Sequence, residues 1–177
     1  MRRVLVAVVA AGWFFALAAC SSEPRPIEPE PSASATPAVP VVPDAAGENT
    51  PEGAEAFLHY YIEVINYASH TGDTGPLQQA STPDCTGCQD YIKKFDERAE
   101  RGGTIVNGDW HVATAEQSTY GIDQAWVATI HLAAGSVQES ADSEFEEFSA
   151  SDEVVTLIAG FNDSQWQMMY FAPGRKL

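Results

Sequence analysis

Positive charge is what this chain has least of. Only 9 of its 177 residues are Lys or Arg, against 25 Asp and Glu. Nucleic-acid binders use Lys and Arg to replace the counterions of the phosphate backbone, so so acidic a chain excludes that partner. It equally excludes attachment to anionic lipid through basic charge. Long hydrophobic runs are short supply too. The apolar stretch from Val4 to Ala19 has 16 residues, fewer than the roughly 20 of a spanning helix. Gly-x-Ser-x-Gly elbows, phosphate-binding loops and dinucleotide fingerprints do not occur. His59, His70, His111 and His131 lack the spacing of a metal site, and a structural zinc needs about four ligands. No metal or cofactor is expected.

What is present at the start is informative. Met1-Arg2-Arg3, then the apolar run, then small residues describe an export signal. Its end, Leu17-Ala18-Ala19-Cys20, resembles the lipobox of bacterial lipoproteins. In that family the cysteine receives a diacylglyceryl group and becomes the first mature residue. The resemblance implies a signal peptide over 1–19, a lipid on Cys20 and a place on the outer face of the cytoplasmic membrane. Two acyl chains suffice for stable anchoring. An ordinary secretory cleavage site beside a chance cysteine is the alternative. Without Arg2 and Arg3, 7 basic residues stand against 25 acidic ones, a balance of −18.

Residues 20–49 read as a lipidated cysteine and a disordered tether. Seven of the 29 residues from Ser21 to Asn49 are proline, and no apolar period survives. Extended at about 3.1 Å per residue, this tether spans roughly 90 Å. A plain spacer is expected over a proline-rich ligand for a partner.

Folding is expected from Thr50, giving one domain over 50–177. Thr50-Pro51 is a helix opening, and Ala54, Phe57, Tyr61, Val64, Ile65 and Ala68 form one stripe ending at Gly72. Gly75–Ala80 reads as a short helix. A third helix spans 89–101 with Tyr91, Ile92, Phe95 and Ala99 as its apolar side. Its Lys93, Lys94, Arg98 and Arg101 read as a solvated face laced by Asp90/Lys94, Lys93/Glu97 and Glu97/Arg101 pairs; a docking patch is the alternative.

The period then changes to two. Asp109–Glu116 places Trp110, Val112 and Thr114 on one face; Gln124–Leu132 does the same for Trp126, Ala128, Ile130 and Leu132. Ser118–Gly121 suits a hairpin between them. A vaguer strand lies within 135–148. Glu153–Phe161 and Gln165–Phe171 form a hairpin through Asn162-Asp163-Ser164.

Helices before antiparallel strands predict an α+β domain with the helices on one sheet face. This order, ending in "NDSQWQMMYF", resembles the cone-shaped nuclear-transport-factor-like (SnoaL-like) fold. That resemblance implies a curved sheet wrapping the long helix and leaving a pocket. "TPEGAEAFLHYYIEVINYASHTGDTGPL" followed by "PDCTGC" also resembles an uncharacterised family of actinobacterial lipoproteins, which carries no known activity.

Cys85 and Cys88 remain as an even pair in an exported protein. A helix follows them, as in thioredoxin-like enzymes, but "LQQASTPD" before them does not read as a strand. A disulfide staple is expected; a redox catalyst and half a metal site stay open. The cone resemblance implies pocket enzymes of isomerase or dehydratase type, with His59, Tyr60, Asp109, His111 and His131 as candidates. No second catalytic group stands at a recognisable spacing, so no catalytic residue is assigned. Glu139, Asp142, Glu144, Glu146 and Glu147 lack a calcium-loop pattern and read as solvated loop. Trp110, Trp126 and Trp166 fall in strands, either lining a ligand cavity or packing a core. The expectation is a membrane-anchored envelope protein that binds a small molecule or a protein partner without catalysis.

Overall fold

The computed structural model describes residues 37–117 and 124–174. The lipobox residues Leu17, Ala18, Ala19 and Cys20, the tether up to Thr36 and the Ser118–Gly121 connection lie outside the described residues.

Among the described residues, three α-helices precede seven strands. Helix α1 spans Pro51–Thr71, α2 Gly75–Gln79 and α3 Thr86–Glu100. The strands are β1 Thr104–Asn107, β2 Trp110–Gln117, β3 Ala125–Leu132, β4 Gly135–Gln138, β5 Glu146–Phe148, β6 Ser151–Asn162 and β7 Gln165–Pro173. They form two antiparallel sheets, ordered β2-β3-β6-β7 and β1-β4-β5. The domain is therefore α+β, as its element order predicts.

Helix α1 begins where its signals place it. Thr50 Oγ1 accepts the Gly53 N–H at 3.0 Å, and Gly72 ends the helix in the left-handed conformation. Its burial is wider than one stripe: Leu58, Tyr60, Ile62 and Tyr67 are buried beside Phe57, Tyr61, Val64 and Ile65. Most of its circumference is covered by other elements, while Glu52, Glu55, His59 and Glu63 keep one stripe in solvent. The packed chain also starts upstream of Thr50, which corrects the tether's expected end. Asp44–Gly47 makes a 3-10 turn with Ala46 buried, and the Glu48 carbonyl accepts the Trp166 indole N–H at 2.9 Å. Gly53 permits that approach, because a side chain there would overlap the Glu48 carbonyl oxygen.

Strand β1 has no counterpart in the sequence reading. It belongs to one antiparallel ribbon with β2, β3 and β4. Asn107 faces Gly135 on one side of a break and Trp110 faces Leu132 on the other, so the register is continuous. The break lies at Gly108-Asp109 and Ala133-Ala134, and it hands the ribbon from one sheet to the other. Strand β2 also departs from simple alternation. A bulge between Val112 and Thr114 turns Ala115 inward and leaves Thr114 exposed, contrary to expectation. The vague strand within 135–148 resolves into two, β4 and β5.

The β6–β7 hairpin forms as expected. Asn162 pairs with Gln165, and Asp163 and Ser164 both have positive φ, 49° and 65°. Such a two-residue turn matches the right-handed twist of its strands. Val155, Leu157 and Ala159 of β6 and Trp166, Met168 and Phe171 of β7 join Trp126, Ala128 and Ile130 of β3 in one core with α1.

Candidate functional site

The main candidate is a cavity of about 220 Å³ beside the ribbon's break. Helix α3 supplies Tyr91, Lys94, Phe95 and Arg98 to its wall. Ile105 of β1, Gly108, Trp110 of β2, Leu132 of β3, Val137 of β4 and Phe148 of β5 line the remainder, with Ser69 of α1 and Glu139. Both sheets therefore contribute, and the site exists because the ribbon divides between them.

Its aromatic wall is a packed cluster. Tyr91 meets Trp110 edge to face at 5.4 Å and Phe171 at 5.3 Å between centroids. Phe95 lies 6.1 Å from Tyr91. Such edge-to-face pairs are favourable beyond the area they bury. Burial, with the Glu153 carboxylate nearby, pushes the Tyr91 hydroxyl's pKa up.

The polar wall centres on Arg98, which is 4% exposed. Its Nη2 donates to Glu139 Oε1 at 3.0 Å and its Nε to Oε2 at 3.4 Å. Arg101 Nη2 also reaches Glu139 Oε2, at 3.4 Å. The Arg98 hydrogen bonds, with the nearby charges of Arg98, Lys94 and Arg101, hold the Glu139 carboxyl below its usual range against a smaller opposing effect of burial. The expected solvated face of α3 is thus half right. Lys93 and Glu97 do pair, at 3.7 Å on the surface. Arg98 instead points inward, and Ala99, expected on the apolar side, is exposed. The signal was in the spacing: Arg98 follows Tyr91 by seven and Phe95 by three, which is the apolar stripe itself. Glu139 is exposed like Asp142, Glu144, Glu146 and Glu147, but it is tied to Arg98 and Arg101, and Glu146 and Glu147 lie in β5 and not in a loop.

The histidine, tyrosine and aspartate candidates do not line this cavity. His59 is exposed on α1. Tyr60 is buried beside a second cavity of about 190 Å³, lined in part by Val42, Phe57 and Trp166. Desolvation there, with the Glu63 charge, raises its hydroxyl's pKa. Asp109 bonds to another histidine, His70, whose Nε2 lies 2.7 Å from Oδ1 while Nδ1 faces the Ile105 carbonyl at 3.3 Å. His111 and His131 are register partners on β2 and β3, and His131 Nδ1 lies 2.6 Å from Asp152 Oδ1 on the exposed side. Of the three strand tryptophans, Trp110 lines the main cavity and Trp126 and Trp166 are core. Among the described residues, no group of three His, Cys, Asp or Glu is arranged to hold a metal. Among them, too, no helix is long and apolar enough to cross a membrane.

Cys85 and Cys88 stand at disulfide distance, 1.97 Å between sulfurs, with both residues 1% exposed. The third helix starts earlier than expected, at Thr86, and Cys85 caps it: its Sγ accepts the Cys88 N–H at 3.3 Å. Ahead of the pair there is a single parallel bridge, Ser81 to Met168, and no strand. The Tyr61 hydroxyl, 3.0 Å from Ser81 Oγ, anchors this linker to α1. Gly87 completes the seat. A side chain there would overlap the Phe171 carbonyl oxygen, so the glycine lets α3 dock against β7.

The chain belongs to a family whose model matches residues 28–172 and is described as a family of unknown function (DUF6318). No curated protein matches the sequence. Among solved structures, the crystal structure of the intermembrane space region of chloroplast protein ARC6 has a TM-score of 0.48 at 10% identity. That match covers 71% of this chain and 97% of the other.

Proposed function

We propose that this protein is a lipid-anchored envelope protein whose folded domain binds a small ligand in the cavity beside α3. The carrying observation is the cavity itself: an aromatic wall with one concentrated polar corner, which is how small-molecule sites are built. The anchor rests on Leu17-Ala18-Ala19-Cys20 following an apolar run. Cys20 then bears the diacylglyceryl group, on the outer face of the cytoplasmic membrane. The bent ribbon and the wide burial of α1 support a nuclear-transport-factor-like cone as the architecture. The buried Cys85–Cys88 pair fits a staple that fixes the start of α3, since a redox catalyst must present a reactive sulfur to its substrate.

Two measurements test this reading. The mass of the mature N-terminal peptide should show a diacylated Cys20, with Cys20→Ala as control; an unmodified Cys20 in the mature chain removes the anchor. Titration of the purified protein with small aromatic compounds should perturb Trp110 and its neighbours; saturating compounds that leave every cavity residue unmoved remove the binding role.

A further inference from the structure

We propose that the cavity beside α3 takes a small amphipathic carboxylate, an aryl or short alkyl body carrying one acidic head group. The inference rests on the ligand-binding reading above and names its chemistry.

The body follows from the wall. Tyr91, Phe95, Trp110 and Phe148 present rings, and Ile105 and Val137 fill between them. An apolar cavity of about 150 Å³ is enough to hold benzene. The 220 Å³ here accommodates one ring with a short substituent.

The head group follows from charge. Lys93, Lys94, Arg98 and Arg101 are the only Lys and Arg among the described residues. Lys93 is engaged by Glu97, and Arg101 by Glu139. The cavity wall holds Lys94 and Arg98 against the single carboxylate of Glu139, which leaves one positive charge in excess. Further carboxylates lie off this wall: Asp90 beside Lys94 on the outer side of α3, Glu153 near Tyr91, Asp109 bonded to His70, and the exposed Glu146 opposite Val137. In so acidic a protein this is a local reversal of sign. The donors are also unspent. Glu139 occupies Arg98 Nε and Nη2, but Nη1 is buried and has no hydrogen-bond partner. A buried guanidinium N–H without an acceptor is costly, and bulk water does not reach it. Lys94 has no ion-pair partner within 4.0 Å among the described residues, although Asp90 stands one turn before it. A carboxylate drawn in over the rings meets Lys94 at the rim and the positive charge of Arg98 behind it; a turn of the guanidinium toward the cavity then brings its covered Nη1 N–H to the acid. Charge-assisted hydrogen bonds of this kind are the strong ones.

The test is a matched pair of probes, phenylacetate and phenylacetamide, titrated by calorimetry and by NMR into the full-length protein. The acid should bind about tenfold tighter than the amide. Lys94→Gln, a surface change that spares the fold, should shrink that preference severalfold, and raised salt should do the same. Arg98→Met should abolish it, provided far-UV dichroism shows the variant folded. Equal binding of acid and amide overturns this proposal and leaves the cavity's ligand-binding role standing. Binding of neither probe overturns both. An anionic head group also occurs on membrane lipids: phosphatidylglycerol vesicles that protect the cavity while phenylacetate does not would overturn the small-acid assignment.

Discussion

Asn66 closes both hydrogen bonds on the backbone of Trp110: its Nδ2 donates to the Trp110 carbonyl at 2.9 Å and its Oδ1 accepts the Trp110 N–H at 2.8 Å. One side-chain amide on α1 thereby fixes the first residue of β2, next to the ribbon's break. Trp110 is both a wall of the cavity and a partner of Tyr91 and Phe171. Asn66→Asp keeps the size of the side chain but faces a carboxylate oxygen toward the Trp110 carbonyl. We expect it to lower stability by about 1 kcal/mol, the low end of the range for an unsatisfied buried group, because Asn66 is part-buried. Urea unfolding followed by tryptophan fluorescence checks this. An unchanged midpoint would mean that β2 is held by its pairing with β3 alone.

Glu139 makes stability depend on pH in a definite direction. Arg98 holds its carboxyl below the ordinary value of 4.5. A carboxyl depressed in the folded state stabilises fully above its unfolded pKa, and that contribution is lost as pH falls through the folded one. Wild-type protein should therefore lose stability on acidification below about pH 4.5. Glu139→Gln should cost about 1 kcal/mol at neutral pH, a figure discounted because the carboxylate is half exposed. The gap between the two proteins should narrow under acid. A gap that stays constant from neutral to acid pH would sink the assignment of the effect to this carboxylate.

Gly87 sets how closely α3 approaches β7. Gly87→Ala places a methyl group against the Phe171 carbonyl, which is backbone and cannot swing aside. The expected loss is about 1–3 kcal/mol, as for other overpacked sites. The displaced α3 should also carry Tyr91 off Phe171 and Trp110. Thermal unfolding reads the first effect, and the near-UV dichroism of the aromatic cluster reads the second. Wild-type behaviour in both would show that α3 and β7 have slack between them.

How much of this was legible beforehand depended on whether a feature is local. Thr50-Pro51 at one end of α1 and Gly72 at the other are chemical signals within a few residues, and they place the helix correctly. The β6–β7 hairpin is equally local. Strand β1 was not visible, because "TIVN" is four residues long and is pinned by β4, some thirty positions away. Thr114 faces out because of a bulge, and one inserted residue resets the alternation downstream. Arg98 was misread for a different reason. Lys93, Lys94 and Arg101 each have a carboxylate four positions away and Arg98 has none, which sets it apart from the solvated face; the carboxylate it uses, Glu139, lies in a loop after β4. Long-range pairing therefore decides the cavity, while short-range chemistry decides the helices that frame it.

The Cys85–Cys88 pair supplies the last prediction. The two residues are each 1% exposed and bracket the first turn of α3. A disulfide there closes a four-residue ring, worth about 2 kcal/mol by restriction of the unfolded chain. Replacing both cysteines by alanine should lower stability by about that amount and leave phenylacetate binding within a factor of about two, since neither lines the main cavity. Thiol trapping of protein isolated without reductant should find the pair oxidised, and mild reductant should attack it slowly while the domain is folded, because the sulfurs are covered. A pair that exchanges rapidly with small thiols in the folded protein, or that is found mostly reduced at the cell surface, would turn the staple into a redox centre.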